Sequence, residues 1–262
     1  MKLVTFRTYD RMIHAGVVQE ERVITLEYPT VLELLRDPAG LTKARKALEE
    51  PGEEHTLNEV ILLPPIPDPP SVRDFYAFEQ HVKSARALRG LGMIPEWYEV
   101  PIFYFTNNSE IYGHEQPVLY PTGSKELDFE LEIACVIGRE GKDFATSLGP
   151  WLVTPDELAA HRNGNGVSER YDMTMLARVN GREISRGNFR DIHYSFPQMI
   201  AWASQNARLR AGDVLGSGTV GTGCLMELQN IELSIQVQPW LQPGDQVELE
   251  IEGIGVLRNS IL

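Results

Sequence analysis

The sequence predicts an α+β fold in which strands dominate. Short runs that alternate apolar and polar side chains, or that are rich in β-branched and aromatic residues, outnumber the helical runs and do not alternate regularly with them. The 262 residues, 42% of them hydrophobic, are enough for one large domain, or for one large and one small domain. A doubly wound sheet needs regular strand–helix alternation and is therefore not expected.

The first 65 residues predict a small N-terminal α+β domain. Its strands are expected at "KLVTFR" (2–7) and "RVITLEY" (22–28). Its helices are expected at "TVLELLRD" (30–37) and "LTKARKALEE" (41–50), and "PG" follows as a stop signal. "LLPPIPDPP" (62–70) holds five prolines in nine residues and predicts a stiff connector to the main domain, 66–262.

The main domain is predicted to contain three helices and six strand-like runs. The helices are "SVRDFYAFEQHVKSARALRGLG" (71–92), which Gly90 and Gly92 would end, "TPDELAAH" (154–161) and "FPQMIAWASQNA" (196–207). The strand-like runs are "PIFYFTN" (101–107), "LDFELEIACVIG" (127–138), "MLARVNGREIS" (175–185), "DVLGSGTV" (213–220), "IELSIQV" (231–237) and "DQVELEIEGIGVL" (245–257).

Charge and composition exclude several function classes. The net charge is −13, from 24 basic and 37 acidic residues, which opposes nonspecific binding to nucleic acid or to an anionic membrane. No apolar run approaches the roughly 20 residues that span a bilayer. Cys135 and Cys224 lie far apart without metal or redox spacing, so we expect a reducing cytoplasm. A small acidic substrate would need a local positive site, from Arg, Lys or a metal.

Alternating acids in "LDFELEIACVI" raise the possibility of a metal site. Asp128, Glu130 and Glu132 fall on one face of the predicted strand. Carboxylates two residues apart are about 6–7 Å apart along a strand and can converge on one Mg²⁺, Mn²⁺ or Ca²⁺. The alternative is a solvated face, and "DQVELEIEG" (245–253) has the same alternation, so the pattern alone does not decide.

Asp74 and His81 are seven residues apart in "RDFYAFEQH" (73–81). If the segment is helical, both lie on one face. One interpretation is a capping Asp and a packed or surface His, which the spacing alone favours. The other makes Asp74 a metal ligand and His81 a general base.

Six motifs in order resemble the fumarylacetoacetate hydrolase family over roughly residues 57–262. They are "RDFYAFEQH", "PIFYFTN", "LDFELEIACVIG", "KDFATSLGPWLVTPDEL", "GSGTVGTGCLMEL" and "GDQVELEIEGIGVLRN". The resemblance implies a mixed β-roll or incomplete barrel behind the small N-terminal unit. It also implies a divalent cation, a homodimer in the cytoplasm and a place in aromatic catabolism.

The resemblance also assigns roles to individual residues. Asp128 is left as a structural residue. The implied metal ligands are Asp74, Glu130 and Glu132. The implied base is His81, with Glu227 as the acid that orients it, and Lys142 is implied to lie near the metal and the substrate oxygens. The implied substrate contacts are Tyr104, Thr219 and, by a looser alignment, Arg89.

These roles together imply metal-dependent hydrolysis of a carbon–carbon bond in a small diketo acid, such as fumarylacetoacetate or an acylpyruvate. Within the same family the metal triad also fits an isomerase, decarboxylase or hydratase of a 2-hydroxy-dienoate dicarboxylic acid. The pairing of Glu227 with His81 favours water activation. A catalytically impaired binding protein is the alternative from another class.

One family motif is missing from the sequence. The family places Asn-Asp-x-Ser-Ala-Arg-Asp, with a fourth metal carboxylate, in roughly forty to fifty residues before "KDFATS"; here Gly141 meets Lys142 directly. "NGVSER" (165–170) has Gly166 at the Asp position and predicts a loop. Either the sequence omits a segment that the protein has, or the chain lacks it. We favour the first, because losing a central segment would expose unpaired strands.

Two further motifs are given structural interpretations. "GSGTVG" (216–221) matches Gly-x-Gly-x-x-Gly but opens no helix of adequate length, so its glycines more plausibly permit close backbone approach to a ligand or metal. Cys224 with His81 as a thiol nucleophile pair is conceivable, although a small buried Cys is the better interpretation. The remaining histidines are expected to be structural or at the surface: His14, His55, His114, His161 and His193.

Overall fold

The structure is a computed structural model that describes residues 1–138, 144–146, 149–229 and 239–262, with the backbone alone at 144–146. Two sequence predictions lie outside these residues. They are the strand "IELSIQV" (231–237) and the join between Gly141 and Lys142, with the Lys142 side chain itself.

Seventeen strands and five α-helices make up the regular structure of the described residues. The helices are α1 (Val31–Arg36), α2 (Gly40–Glu49), α3 (Glu79–Ala87), α4 (Phe196–Ala203) and α5 (Leu225–Leu228). The strands are β1 (Lys2–Arg7), β2 (Ile13–Gln19), β3 (Arg22–Thr25), β4 (Glu54–Thr56), β5 (Ile61–Leu63), β6 (Val72–Phe75), β7 (Phe103–Phe105), β8 (Ala134–Ile137), β9 (Phe144–Thr146), β10 (Leu152–Val153), β11 (Arg162–Asn163), β12 (Arg170–Tyr171), β13 (Thr174–Val179), β14 (Arg182–Asn188), β15 (Val214–Gly216), β16 (Gln246–Ile251) and β17 (Gly255–Ser260).

A large mixed sheet runs through both halves of the chain. Its strand order is β4-β3-β2-β1-β10-β9-β8-β15-β6-β7, with β5 also on β1. β1 joins the N-terminal strands to the rest through β10, where Lys2 lies opposite Val153. A single sheet therefore spans the predicted boundary at residue 65, and the division into two domains stays a prediction.

A second, antiparallel sheet shares the main apolar core with the first. Its order is β14-β13-β16-β17, and β11 and β12 form a separate pair. Side chains from both sheets and from α3 and α4 share the largest apolar cluster, whose members include Phe75, Val82, Leu215, Met175, Ile251 and Met199. Neither sheet of the described residues closes on itself. The predicted α+β, strand-rich fold with an open rather than closed barrel is confirmed.

The strands on either side of the join pair with each other. β8 and β9 are antiparallel, with Ile137 opposite Phe144. Within the described ranges the sheet is therefore continuous from β15 through β8 to β10. Whether a further segment belongs between Gly141 and Lys142 stays a prediction.

The predicted helix at 71–92 is wrong in its first third. Residues Val72–Phe75 form β6, and the helix covers only Glu79–Ala87. β6 pairs in parallel with β15 and antiparallel with β7, and Val72 and Phe75 are buried. These nonlocal hydrogen bonds and the burial outweigh local helix propensity. Asp74 and His81 therefore lie on different elements rather than on one helix face.

The acid-bearing strand is shorter than its alternation predicts, since β8 begins only at Ala134. The backbone of the preceding residues bonds to an irregular glycine loop instead. The Leu131 N–H donates to Gly223 O at 2.9 Å, and the Ser217 N–H donates to Ile133 O at 2.8 Å. The alternation itself holds, because Leu131 and Ile133 are buried.

Three further predictions need correction in detail. Residues 154–161 form successive turns ending in a 3₁₀ turn at Ala159–His161, not an α-helix. The capping oxygen of Thr154 accepts a hydrogen bond from the N-terminal amine of Met1 at 2.5 Å instead. The runs at 175–185 and 245–257 each fold as a hairpin, β13–β14 and β16–β17. Within the described residues, no helix is both long and apolar enough to cross a bilayer.

Candidate functional site

Three carboxylates meet at the carboxyl end of β6. Asp74 lies on β6, opposite Gly216 of β15, while Glu130 and Glu132 belong to the segment before β8. One oxygen from each side chain lies within 4.8 Å of the other two. Asp74 and Glu132 are half-buried and Glu130 is exposed. The structure therefore brings together the three acids that the sequence comparison proposed as metal ligands, and we call them the carboxylate cluster.

Two glycines of "GSGTVG" make room for this cluster. A Cβ on Gly216 would lie 2.8 Å from Glu132 Oε2 and 3.2 Å from Asp74 Oδ1. The Gly218 N–H donates to Glu132 Oε2 at 2.8 Å, and its positive φ of 76° suits glycine. A Cβ there would lie 2.2 Å from Phe75 O. The glycines thus permit close approach to the carboxylates themselves, and the predicted approach to a ligand or metal stays a prediction.

The electrostatics of the cluster favour a cation. Burial raises the pKa of Asp74 to about 6, with Glu130 adding to the rise and the hydrogen bond from Tyr104 opposing it. Burial, then the charges of Asp74 and Glu130, raise the pKa of Glu132 well above its usual value. Asp74 Oδ1 is buried and lacks a hydrogen-bond partner among the described residues. Like charges this close, with one orphaned oxygen, fit a divalent ion that takes oxygen ligands, such as Mg²⁺, Mn²⁺ or Ca²⁺.

Tyr104, a predicted substrate contact, lies against a metal-ligand candidate. It sits opposite Asp74 on the edge strand β7, and its hydroxyl donates to Asp74 Oδ2 at 2.6 Å. Burial of the hydroxyl and this hydrogen bond raise the pKa of Tyr104. The phenol thus fixes one Asp74 oxygen and leaves the other free.

His81 and Glu227 form a buried pair, which we call the dyad. His81 lies in the first turn of α3 and Glu227 on α5, and Nδ1 is 2.8 Å from Oε2. His81 is 5% exposed and Glu227 is 0% exposed. A carboxylate that accepts from Nδ1 leaves Nε2 of a neutral imidazole as the ring's acceptor. The structure therefore pairs the two residues that the resemblance names as base and orienting acid, and their catalytic roles stay predictions.

Asp128 belongs to neither group. Its carboxylate oxygens accept from the Leu225 N–H at 2.7 Å and the Met226 N–H at 2.8 Å. Asp128 thereby caps the amino end of α5, the helix that carries Glu227. The prediction that Asp128 is structural is confirmed, and its position two residues before Glu130 links the two groups.

The other predicted site residues fall around these groups. Thr219 is buried beside Gly218, and its hydroxyl lacks a partner in the described structure. Arg89 follows α3 and is exposed. Its charge reaches Tyr76, because burial raises the pKa of Tyr76 and Arg89 lowers it. Lys142 lies outside the described residues.

Two further side chains contact the dyad: Tyr76, to which the sequence assigned no role, and Cys224, which is buried as expected. The Tyr76 ring meets the His81 ring edge-on, with centroids 5.2 Å apart. Cys224 Sγ lies 3.7 Å from Glu227 Oε2. Tyr76 falls inside the "RDFYAFEQH" motif, but only the turn between β6 and α3 brings it onto the imidazole.

The second set of alternating acids behaves differently. Glu248 accepts from Arg258 at 2.8 Å, Glu250 from Arg178 at 2.6 Å and Glu252 from the Thr174 N–H at 3.0 Å. All three acids are therefore neutralised or hydrogen-bonded on the outside of the second sheet. "NGVSER" is an exposed 3₁₀ turn at Gly166–Ser168 followed by the short β12, close to the predicted loop.

A cavity of about 210 Å³ opens onto the carboxylate cluster. Its remaining wall is mostly apolar and comes from β6, β15 and the β16–β17 hairpin: Val72, Val214, Leu249, Ile251, Ile254 and Leu257. A small ligand could therefore meet a cation on one side and aliphatic side chains on the other.

Curated proteins similar to this chain include a tautomerase and a hydrolase. The rat protein named oxaloacetate tautomerase Fahd2a, mitochondrial (Rattus norvegicus), is 27% identical over 202 residues, covering 62% of this chain and 59% of its own length. The fumarylacetoacetase of Arabidopsis thaliana is 26% identical over 264 residues, covering 66% and 63%. The chain thus spans about three fifths of the length of these relatives.

Solved structures share the fold over the whole chain. Maleylpyruvate hydrolase from Sphingobium sp. SYK-6, in complex with manganese(II) and pyruvate, has a TM-score of 0.72 at 21% identity, covering 100% of this chain and 99% of that one. The same coverage holds for the fumarylacetoacetate hydrolase of Exiguobacterium antarcticum, with a TM-score of 0.70 at 21% identity. It also holds for 5-carboxymethyl-2-hydroxymuconate delta-isomerase from Mycobacterium smegmatis, with a TM-score of 0.68 at 20% identity.

The family match itself covers most of the main domain. Residues 71–146 and 140–262 match the family described as fumarylacetoacetate (FAA) hydrolase C-terminal. The match is divided into two segments that meet around the Gly141–Lys142 join. The chain belongs to the fumarylacetoacetate hydrolase family.

Proposed function

We propose that this protein is a metal-dependent hydrolase that cleaves a carbon–carbon bond in a small diketo acid, such as fumarylacetoacetate or an acylpyruvate. The observation that carries the proposal is the buried dyad: a 2.8 Å hydrogen bond between His81 Nδ1 and Glu227 leaves Nε2 as the candidate proton acceptor, and the charge of His81 acts on Asp74 of the carboxylate cluster. A proton acceptor next to a cation site is the arrangement that hydrolysis of a diketo acid needs.

The carboxylate cluster would hold the divalent ion. When bound, such an ion supplies a Lewis acid for the oxygens of the diketo acid and offsets the negative charge of the site. The three acids provide oxygen donors from two segments, and Gly216 leaves space between them. Manganese in the related maleylpyruvate hydrolase supports this assignment, and the native metal of this chain is a matter for experiment.

The dyad would activate water. His81 Nε2 takes a proton from the water as its oxygen attacks the substrate carbonyl, and Glu227 stabilises the imidazolium that forms in a buried setting. The carbon–carbon bond then breaks, and its electron pair leaves on the enolate fragment, which takes up a proton. Lys142, Thr219 and Arg89 remain proposed contacts to the substrate oxygens, while Tyr104 positions Asp74.

The test is the loss of diketo-acid absorbance with acylpyruvate and fumarylacetoacetate, in the presence of Mg²⁺ or Mn²⁺. We expect Glu130→Gln to reduce turnover by roughly 10-fold or more, since loss of a ligand weakens the metal site. Glu250→Gln is the matched control, because Glu250 has the same alternating pattern but is paired with Arg178. Equal rates for both variants, or no metal-dependent turnover of any substrate, would overturn the proposal.

A tautomerase or isomerase is the second candidate, because curated relatives of this chain are named oxaloacetate tautomerases. Such a reaction moves a proton between carbon and oxygen and consumes no water. Turnover in ¹⁸O-labelled water separates the two: hydrolysis places the label in a new carboxylate product, and isomerisation yields a single product of unchanged mass. Decarboxylation would release CO₂, and hydration would add one labelled oxygen without splitting the substrate.

The missing fourth carboxylate remains part of the proposal. If the natural chain carries the segment, its intact mass will exceed 29.5 kDa by that of roughly forty to fifty residues. If it does not, we expect a weaker, three-carboxylate site, and metal binding without turnover would indicate a binding protein. The homodimer, the cytoplasmic location and the role in aromatic catabolism stay predictions.

A further inference from the structure

Next to the dyad lies a third side chain of a type that can bind a metal, Cys224. A ring nitrogen of His81, Sγ of Cys224 and a carboxylate oxygen of Glu227 lie within 4.8 Å of one another, and all three side chains are buried. Sγ is 3.7 Å and Nδ1 is 2.8 Å from Glu227 Oε2. The other oxygen, Oε1, is fully buried without a hydrogen-bond partner among the described residues. An orphaned carboxylate oxygen in such a cluster is an acceptor that a cation could satisfy.

The donor types and distances fit a soft cation. Zn²⁺ binds sulfur at about 2.3 Å and nitrogen or oxygen at about 2.0–2.2 Å in a tetrahedron, which separates the ligand atoms by about 3.3–3.7 Å. The distance between Cys224 Sγ and Glu227 Oε2 already lies at the top of that range. The distance between His81 Nδ1 and Glu227 Oε2 needs to widen by only about half an ångström.

Charge also distinguishes the group of His81, Cys224 and Glu227 from the carboxylate cluster. One thiolate, one carboxylate and a neutral imidazole balance a divalent ion, which lowers the cost of burying it. The carboxylate cluster offers oxygen alone, which suits hard ions. The two clusters should therefore select different metals.

We propose that His81, Cys224 and Glu227 form a second metal site, selective for a soft divalent ion such as Zn²⁺, and that its occupation blocks the base. Binding forms bonds from the ion to Cys224 Sγ, His81 Nδ1 and Glu227; the Cys224 S–H proton leaves to solvent, and the imidazole proton moves from Nδ1 to Nε2, which then no longer accepts a proton. No oxidation state changes. The inhibitory consequence rests on the proposed function, because it is the dyad base that the ion removes.

Spectroscopy of Co²⁺, a probe that reports its ligands, tests the site without relying on activity. In saturating Mg²⁺, we expect wild-type protein to develop an intense sulfur-to-cobalt charge-transfer band that Zn²⁺ abolishes by competition. Cys224→Ser and Cys224→Ala should lack the band, while Cys135→Ala, which removes the other buried thiol, should keep it. Circular dichroism identifies any variant that fails to fold. A wild-type spectrum without the band, or a band that survives in both folded Cys224 variants, would refute the site.

Inhibition by Zn²⁺ then tests the consequence. We expect the Zn²⁺ concentration that halves each variant's own Mg²⁺-supported rate to rise at least about 10-fold in Cys224→Ser. An unchanged value would overturn the inhibitory part. If the protein turns over none of the substrates, the proposed function fails, while the cobalt band still decides the metal site. If it turns over substrate without a band, the proposed function stands and the site falls.

Discussion

The carboxylate cluster and the dyad use the same residue type in opposite ways. Glu130 and Glu132 stand beside another acid without a described basic partner, so their charges repel and burial makes the conflict worse. Glu227 is more deeply buried, but it accepts a hydrogen bond from an imidazole at 2.8 Å. The two environments therefore differ: the first set of carboxylates lacks a described positive partner, as a cation site would, and the second is already bonded to an imidazole, as a proton-transfer pair would be.

A single short segment contacts both the carboxylate cluster and the dyad. Along residues 128–132, Asp128 caps α5 beneath Glu227, whereas Glu130 and Glu132 reach the cluster around Gly216. The alternation of an extended chain turns all three acids to one side, and the approach of α5 decides which of them is taken by backbone N–H groups. The two groups are therefore mechanically linked, and variants of each group should separate their contributions.

The largest expected effect comes from breaking the dyad. Glu227→Gln keeps the shape of the side chain but removes the charge that stabilises the imidazolium, so we expect turnover to fall by roughly 10²–10⁴-fold. The affinity for Mn²⁺, measured by isothermal titration calorimetry, should change by less than about 3-fold. A large loss of affinity would show that the two groups are not separable.

Glu132→Gln should affect the carboxylate cluster rather than the dyad. We expect Mn²⁺ affinity to fall about 10–100-fold, because the variant loses a charged oxygen donor. The metal-free variant should be more stable than the metal-free wild type, since a repelling buried charge is gone. A metal-free variant that melts at a lower temperature than wild type would contradict this interpretation of the cluster.

The pH dependence of stability should reveal the repulsion directly. The folded-state pKa of Asp74 is raised from 3.8 to about 6, so the group's contribution to stability is fully present below pH 3.8 and is lost as pH rises through about 6. The loss is at most about 3 kcal/mol in metal-free protein. Urea unfolding across this window should show a smaller loss in Asp74→Asn, and saturating Mn²⁺ should reverse it. Parallel profiles for wild type and variant would exclude Asp74 as the source.

The smallest expected effect comes from the link between the groups. Asp128→Ala removes the cap of α5 and should cost about 1 kcal/mol in the free energy of unfolding. Because Asp128 acts through Glu227, we expect kcat to fall several-fold while KM stays close to wild type. Asp128→Asn, which can still accept from the two N–H groups, should recover much of kcat. Failure of Asn to do better than Ala would argue against the positioning role.

Local sequence signals predicted much of the framework. The helices predicted at 30–37 and 196–207 begin within one residue of α1 and α4, and the apolar alternation of Leu131 and Ile133 was borne out by their burial. The prediction failed where nonlocal partners decide. "VRDF" (72–75) is a strand because β15 and β7 bond to it on both sides, and the Thr154 hydroxyl accepts from the distant Met1 amine rather than starting an α-helix.

From the order of its motifs, the sequence by itself determined which acids to assign to the carboxylate cluster and which to the dyad. It did not determine how those side chains are arranged in space. Its alternation could not separate Glu130 from Glu250, because both occupy equivalent positions in similar runs. The tertiary structure decided that difference: Arg178 on β13 reaches Glu250 on the neighbouring strand β16, whereas Glu130 meets Asp74 and Glu132. Charge partners come from segments distant in the chain, and only packing brings them within range of a short electrostatic interaction.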